Sequence, residues 1–172
     1  MALQQSGQAS IRFALLLAGA AAFIWLTALY LPPVVASHFE KDGYANGFMS
    51  RGTYVRFMLA LVIGFPLLLR VMIGFAFRSP DARIHLPNRE YWLAPERREQ
   101  TVAFLQSTLQ QFVALLIVFL CYTHWLVVRA NGSNPARLST PWMVGGLLAF
   151  VALSLVGTRR LLRRFSVRPS KE

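Results

Sequence analysis

His38, Glu40 and Asp42 crowd one short polar stretch, while His124 stands inside a long apolar block. Imidazole and carboxylate together suit zinc, copper and several other divalent metals. Antiparallel packing of the segments that carry them would bring His38 and His124 to a similar depth, which makes this pair the candidate metal ligands. Haem ligation by the same two rings is a further arrangement. The plainer reading is a loop histidine paired with a carboxylate and an interfacial His124 beside Tyr122 and Trp125. On that favoured reading no cofactor is expected.

Other chemistry finds little to work with. There is no nucleophile elbow, Walker phosphate loop or zinc-protease helix motif, and the Ser and Thr residues lack a His-carboxylate arrangement, so an enzyme is not expected. Cys121 is the only cysteine, which excludes an internal disulfide and a cysteine metal cluster. It reads as a small buried hydrophobe.

Arg70 lies in an apolar block, and no Asp or Glu occurs in the central part of any such block to neutralise it. An intramembrane charge suggests an anion, lipid-headgroup or partner contact. The alternative is snorkelling toward the nearer surface, with Arg78 extending the same basic interface. The absence of carboxylates also argues against a proton or cation path, although carbonyls freed near Pro66 keep transport among the alternatives.

The segments that must position these residues are apolar and long. Hydrophobic residues make up 55% of the 172 and charged ones only 15%, a membrane composition. Four blocks approach the length of about 20 residues that a helix needs to cross a bilayer. They run from about Phe13 to Val35, Val55 to Phe77, Val102 to Val128 and Trp142 to Leu162. The expected fold is therefore an all-α integral membrane protein of four transmembrane helices, a single domain over 1–172. Val34-Val35-Ala36 before Ser37 resembles a signal cleavage site, but the apolar region is too long for one, and an uncleaved anchor is expected.

Orientation follows from charge. With four spans, twelve of the eighteen Lys and Arg fall on the side that carries both termini and the middle connector, and four on the other. The positive-inside rule puts that richer side, hence both termini, in the cytoplasm, and the location expected is a bacterial inner membrane. The net charge of +11 then reflects anionic lipid headgroups rather than nucleic acid, for which no binding motif is present.

Local signals refine the spans. Ala18-Gly19-Ala20-Ala21-Ala22 and Gly145-Gly146 allow close helix contacts, Pro32-Pro33 should end the first helix, and Gly64 with Pro66 suggests a kink. Pro141-Trp142 suits a helix start at the interface, and Ala94-Pro95-Glu96 starts the third helix before the bilayer. Just ahead of that start, Tyr91 and Trp92, followed by Arg97 and Arg98, form either a docking surface or a membrane-interface elbow.

The outer connector, Leu31 to Arg51, is unusually patterned. Gly43 and Asn46-Gly47 can supply positive-φ turn positions, while Phe39, Tyr44 and Phe48 can fold back on the membrane surface. The order Leu31-Pro32, His38-Phe39, Gly43, Gly47 and Ser50-Arg51 resembles the membrane domain of unknown function at the N terminus of the sporulation-delaying-protein immunity protein family. There a first span ends at Leu-Pro, followed by His-Phe or His-Trp, a Gly-containing turn and a second span. The match covers roughly the first 75 residues. Pro33 is an added proline, and Ala36 or Ser37 stands where the family has a proline nearer the histidine. The resemblance implies a polytopic helical membrane protein, with toxin immunity or signalling as one family role.

These readings converge on an accessory or regulatory membrane subunit that binds a membrane protein partner, or a second copy, through helix faces and connectors. Its outer candidates are His38, Phe39, Glu40, Asp42 and Tyr44, and its inner ones Tyr91, Trp92, Arg97 and Arg98. The alternatives are an immunity or sensor protein that recognises a peptide at the outer connector, and a small metal or solute transporter.

Overall fold

The computed structural model describes residues 2–78 and 86–166, with side chains described over 7–77 and 86–166. Arg83, Arg168 and Lys171, which entered the charge asymmetry, lie outside the described residues, as does the side chain of Arg78.

Helix α1, Ala2–Thr27, tightens into a 3-10 turn over Ala28–Tyr30. It stops there because Pro32 and Pro33 offer no N–H, and Leu31, the residue before them, is forced to extended backbone (φ −80, ψ 142). Helix α2, Arg51–Leu59, is capped by Ser50, whose Oγ accepts the Thr53 N–H at 3.2 Å. A π-helical segment, Ala60–Gly64, leads into α3, Phe65–Arg78. At the expected kink, then, the helix widens. Pro66 cannot donate and its ring would strike the Val62 carbonyl four residues back, so a wider turn accommodates it.

The short α4, Arg89–Trp92, precedes α5, Pro95–Ala130, which has Pro95 in its first turn, as the sequence suggested. The last helix, α6, covers Thr140–Ser166. Four helical runs are long and apolar enough to cross a membrane: Gly7–Tyr30, Arg51–Phe77, Pro95–Ala130 and Thr140–Ser166.

The core lies between α1, the α2–α3 run and α5, where Ala20, Ile24, Ala28, Tyr54, Met58, Val62, Val113 and Ile117 are buried. Cys121 packs against it, half-buried, as a small hydrophobe. Helix α6 lies along α5 outside this core. Phe119 and Phe150 stack at 4.7 Å, and Tyr122 donates to the Trp142 carbonyl at 2.6 Å. Of the expected small-residue contacts, Gly146 presses on the Tyr122 ring while Gly145 and Gly19 face open space. Within the alanine patch it is Ala20 that is buried.

The expectation of an all-α chain needs correction. The connector from Leu31 to Arg51 holds an antiparallel hairpin of β1, Val34–Phe39, and β2, Ala45–Ser50. The first span accordingly ends at Tyr30 instead of Val35. Val34 and Val35 are apolar enough to extend a hydropathy block, but after two prolines their β-branched side chains suit a half-buried pleated surface, and their backbone groups pair with β2. Val35 and Met49 form an inward pair against the core. On the other face, Val34, Phe48, His38 and Asn46 are exposed. The register is irregular between Ala36 and Phe39.

Candidate functional site

At the hairpin end of the bundle, two connectors far apart in sequence are tied together. The hairpin tip turns at Gly43, whose φ of 87° lies in the region that glycine tolerates best, and whose N–H donates to the Glu40 carbonyl at 2.9 Å. Asp42 Oδ1 accepts the Tyr44 N–H at 3.1 Å, a local side-chain turn. Of the positive-φ positions expected, only Gly43 has that conformation among the described residues. Asn46 and Gly47 belong to β2. Gly47 matters for space instead: a Cβ there would come within 2.8 Å of His38 Cβ across the ladder.

The connector after α5 grips this hairpin in two places. Leu138 N–H donates to the Gly43 carbonyl at 2.8 Å, Tyr44 forms a β-bridge with Arg137, and the Arg137 guanidinium sits 4.7 Å from the Tyr44 ring centre. At the helix end, Asn131 Oδ1 accepts the Ala36 N–H at 2.8 Å while its Nδ2 donates to the Ala36 carbonyl at 2.9 Å. A single amide thus satisfies the outer edge of β1 at this residue, as a neighbouring strand would.

On the exposed face, a chain of polar groups runs from carboxylate to imidazole. Asn46 Nδ2 donates to Glu40 Oε1 at 3.0 Å, and its Oδ1 lies 2.6 Å from His38 Nδ1. With the amide oriented this way, Oδ1 must accept, so Nδ1 of His38 carries a proton and Nε2 keeps the other edge of the exposed ring. The expected histidine–carboxylate pair is therefore bridged by an amide. Phe39 is half-buried, and Phe48 stays on the outward face.

His124 lies elsewhere, turned into the bundle and not outward as an interfacial ring beside Tyr122 and Trp125 would be. It is 0% exposed, within the core between three helices. Tyr54 O–H lies 3.0 Å from Nδ1, and Thr27 Oγ1 lies 2.8 Å from Nε2. Thr27 uses its one hydroxyl proton on the Phe23 carbonyl at 2.6 Å. Its oxygen must then accept from Nε2–H, which leaves Nδ1 to accept from Tyr54: a neutral chain with every proton assigned. The rings support it, with Tyr54 stacked on His124 at 5.6 Å and Phe23 edge-on at 6.1 Å.

The candidate metal pair is thus not assembled. His38 and His124 have separate partners, and both nitrogens of His124 are committed within the protein. Among the described residues no group of three or more His, Cys, Asp and Glu is placed to hold a metal ion.

At the opposite end, Trp92 turns inward onto α6. Its ring meets Phe165 edge-on at 5.2 Å and Tyr91 at 5.1 Å, while Asn88 Nδ2 donates to the Phe165 carbonyl at 3.3 Å. Arg97 covers the Tyr91 ring at 4.1 Å, Arg98 is half-buried, and Thr101 donates to the Trp92 carbonyl at 2.8 Å. The elbow is thus a clasp on the end of α6. Nearby in depth, Arg70 reaches across to α1: Nη2 donates to Ser10 Oγ at 2.9 Å, and the guanidinium lies 4.5 Å from the Phe13 ring centre. Arg78 closes α3, its side chain outside the described residues.

Several of these partners, Thr27, Tyr54, Asn131 and Leu138, did not stand out in the sequence. The available signal was a hydroxyl or phenol inside an apolar span, which must find a partner where water is absent. No family model, curated protein or solved structure shows significant similarity to the chain.

Proposed function

We propose that the chain is an accessory or regulatory membrane subunit that binds a protein partner through its joined outer connectors. On this reading both termini lie in the cytoplasm, as the excess of Lys and Arg at that end argues. The observation that carries this reading is the fixing of the hairpin at two separate points, by Asn131 on its edge and by Arg137–Leu138 on its tip. A surface held in place before binding loses less conformational freedom when a partner arrives. Its outward face mixes exposed Val34, Phe48 and Tyr44 with the polar His38, Asn46 and Glu40, the combination of apolar anchor and polar rim that protein interfaces use.

A photo-crosslinking residue placed at Phe48 or His38 in cells, compared with one at Leu148 on the exposed face of α6, tests this reading. The expected result is a discrete protein adduct from the hairpin positions and none of the same mass from Leu148. Protein adducts at neither hairpin position, together with unchanged membrane complexes on deleting the chain, would sink it. An adduct of peptide size, with a survival phenotype lost in His38→Ala and Tyr44→Ala, would instead support immunity or sensing.

A further inference from the structure

Arg70 is half-buried and carries a charge that no described carboxylate neutralises. Its Nη2 uses Ser10, but Nη1 is shielded from solvent and has no hydrogen-bond acceptor. Among the described residues no carboxylate pairs with it: Glu40 and Asp42 belong to the hairpin at the other end, and Glu90, Glu96 and Glu99, on the elbow and the start of α5, do not reach it. A guanidinium donor shielded without an acceptor is costly, more so when it is charged.

Its depth indicates which acceptor is at hand. At about 1.5 Å per residue, the run from Ser10 to Tyr30 spans about 30 Å, the thickness of a bilayer's hydrocarbon core. Tyr30 is 82% exposed at one end, as an interfacial aromatic would be, so Ser10 marks the other boundary. Arg70, although well inside α3, delivers its guanidinium to Ser10 and so to the level of headgroup phosphates. Stacking on Phe13 fixes the plane of the fork from one side. The residue as a whole is half-buried, which leaves it approachable from the other.

We infer that Arg70, oriented by Ser10 and Phe13, is a binding site for the phosphate of an anionic phospholipid. With Nη1 covered and one Nη2 proton on Ser10, the phosphate takes the remaining N–H donors of the guanidinium, held in a fixed plane that a lysine ammonium cannot match. The site is independent of the outer hairpin and of any partner bound there.

Native mass spectrometry of the delipidated full chain in detergent, titrated with phosphatidylglycerol, tests it. Arg70→Gln is expected to weaken binding about tenfold and Arg70→Lys by a smaller factor, whereas Arg160→Gln, an exposed arginine of α6, changes it less than about twofold. Should Arg70→Gln fail to fold, the comparison of Arg70→Lys with the parent carries the test. Equal binding by the parent and the folded Arg70 variants would overturn the proposal, as would equal binding of phosphatidylcholine. Displacement of the lipid by millimolar inorganic phosphate would also overturn it, assigning the site to a soluble anion.

Discussion

Asn131 and Ala36 pair through both backbone groups of the alanine, with the amide oxygen accepting at 2.8 Å and the amide nitrogen donating at 2.9 Å. Removing the amide leaves a partly buried N–H and C=O on β1 without partners. Asn131→Ala should therefore destabilise the docked hairpin by about 1–3 kcal/mol. Hydrogen exchange at the Ala36 amide is the direct measure, and exchange as slow as in the parent would contradict the pairing.

The Tyr54–His124–Thr27 chain invites a double-mutant cycle. Tyr54→Phe alone leaves His124 Nδ1 without its donor, and His124→Leu alone leaves the Tyr54 hydroxyl without its acceptor; each should cost about 1 kcal/mol beyond its packing effect. The double variant should be less destabilised than the sum of the two, because the unmatched groups disappear together. Strict additivity of the thermal or denaturant shifts in detergent would mean the contact carries no energy.

Glycine is required at the hairpin tip for two reasons at once. Gly43→Ala would force a side chain onto the Leu138 carbonyl at a backbone angle it resists, with a cost of about 2 kcal/mol or more. The loss should appear as faster proteolysis of both outer connectors together, since Leu138 is displaced with the tip. Cleavage confined to the hairpin would count against the joint platform.

Adjacent glycines in α6 should behave oppositely. Gly146→Ala drives a methyl into the Tyr122 ring, whereas Gly145→Ala meets open space. The first should lower stability by about 1–3 kcal/mol and the second should leave it unchanged or slightly raised, because alanine favours helix over glycine. Paired melting curves decide it, and a reversed order would mean that α6 is rotated about its axis.

Trp92 is held by edge-on ring contacts with Tyr91 and Phe165 while its Nε1–H is buried without a partner. Trp92→Phe should accordingly be tolerated, while Trp92→Ala, which empties the space against Phe165, should cost about 3–5 kcal/mol. Similar losses from both substitutions would assign the energy to the indole nitrogen instead.

The sequence by itself determined the four apolar helices and most of their ends. Each helix satisfies its own backbone, so a local window of residues suffices to show where one is long and apolar enough to cross a membrane. Pro32-Pro33, Pro95 and Pro141 act within one turn of where they stand, and were legible for the same reason. The outer connector was legible as an ordered segment, but its β-structure was not, because Val34 and Val35 have the same hydropathy in strand and helix, and only Met49 and Ser50 opposite them select the strand. His124 was noticed but misplaced: whether a ring on a helix faces lipid or the bundle depends on the rotation of that helix, which packing against Thr27 and Tyr54 decides. Arg70's depth along α3 was visible in the chain, whereas its reach to Ser10 depends on how α1 and α3 lie together. Asn131 and Gly43 show the same division, since their partners Ala36 and Leu138 come from distant parts of the chain. Contacts of that kind are tertiary: they exist once the helices bring two connectors to one end.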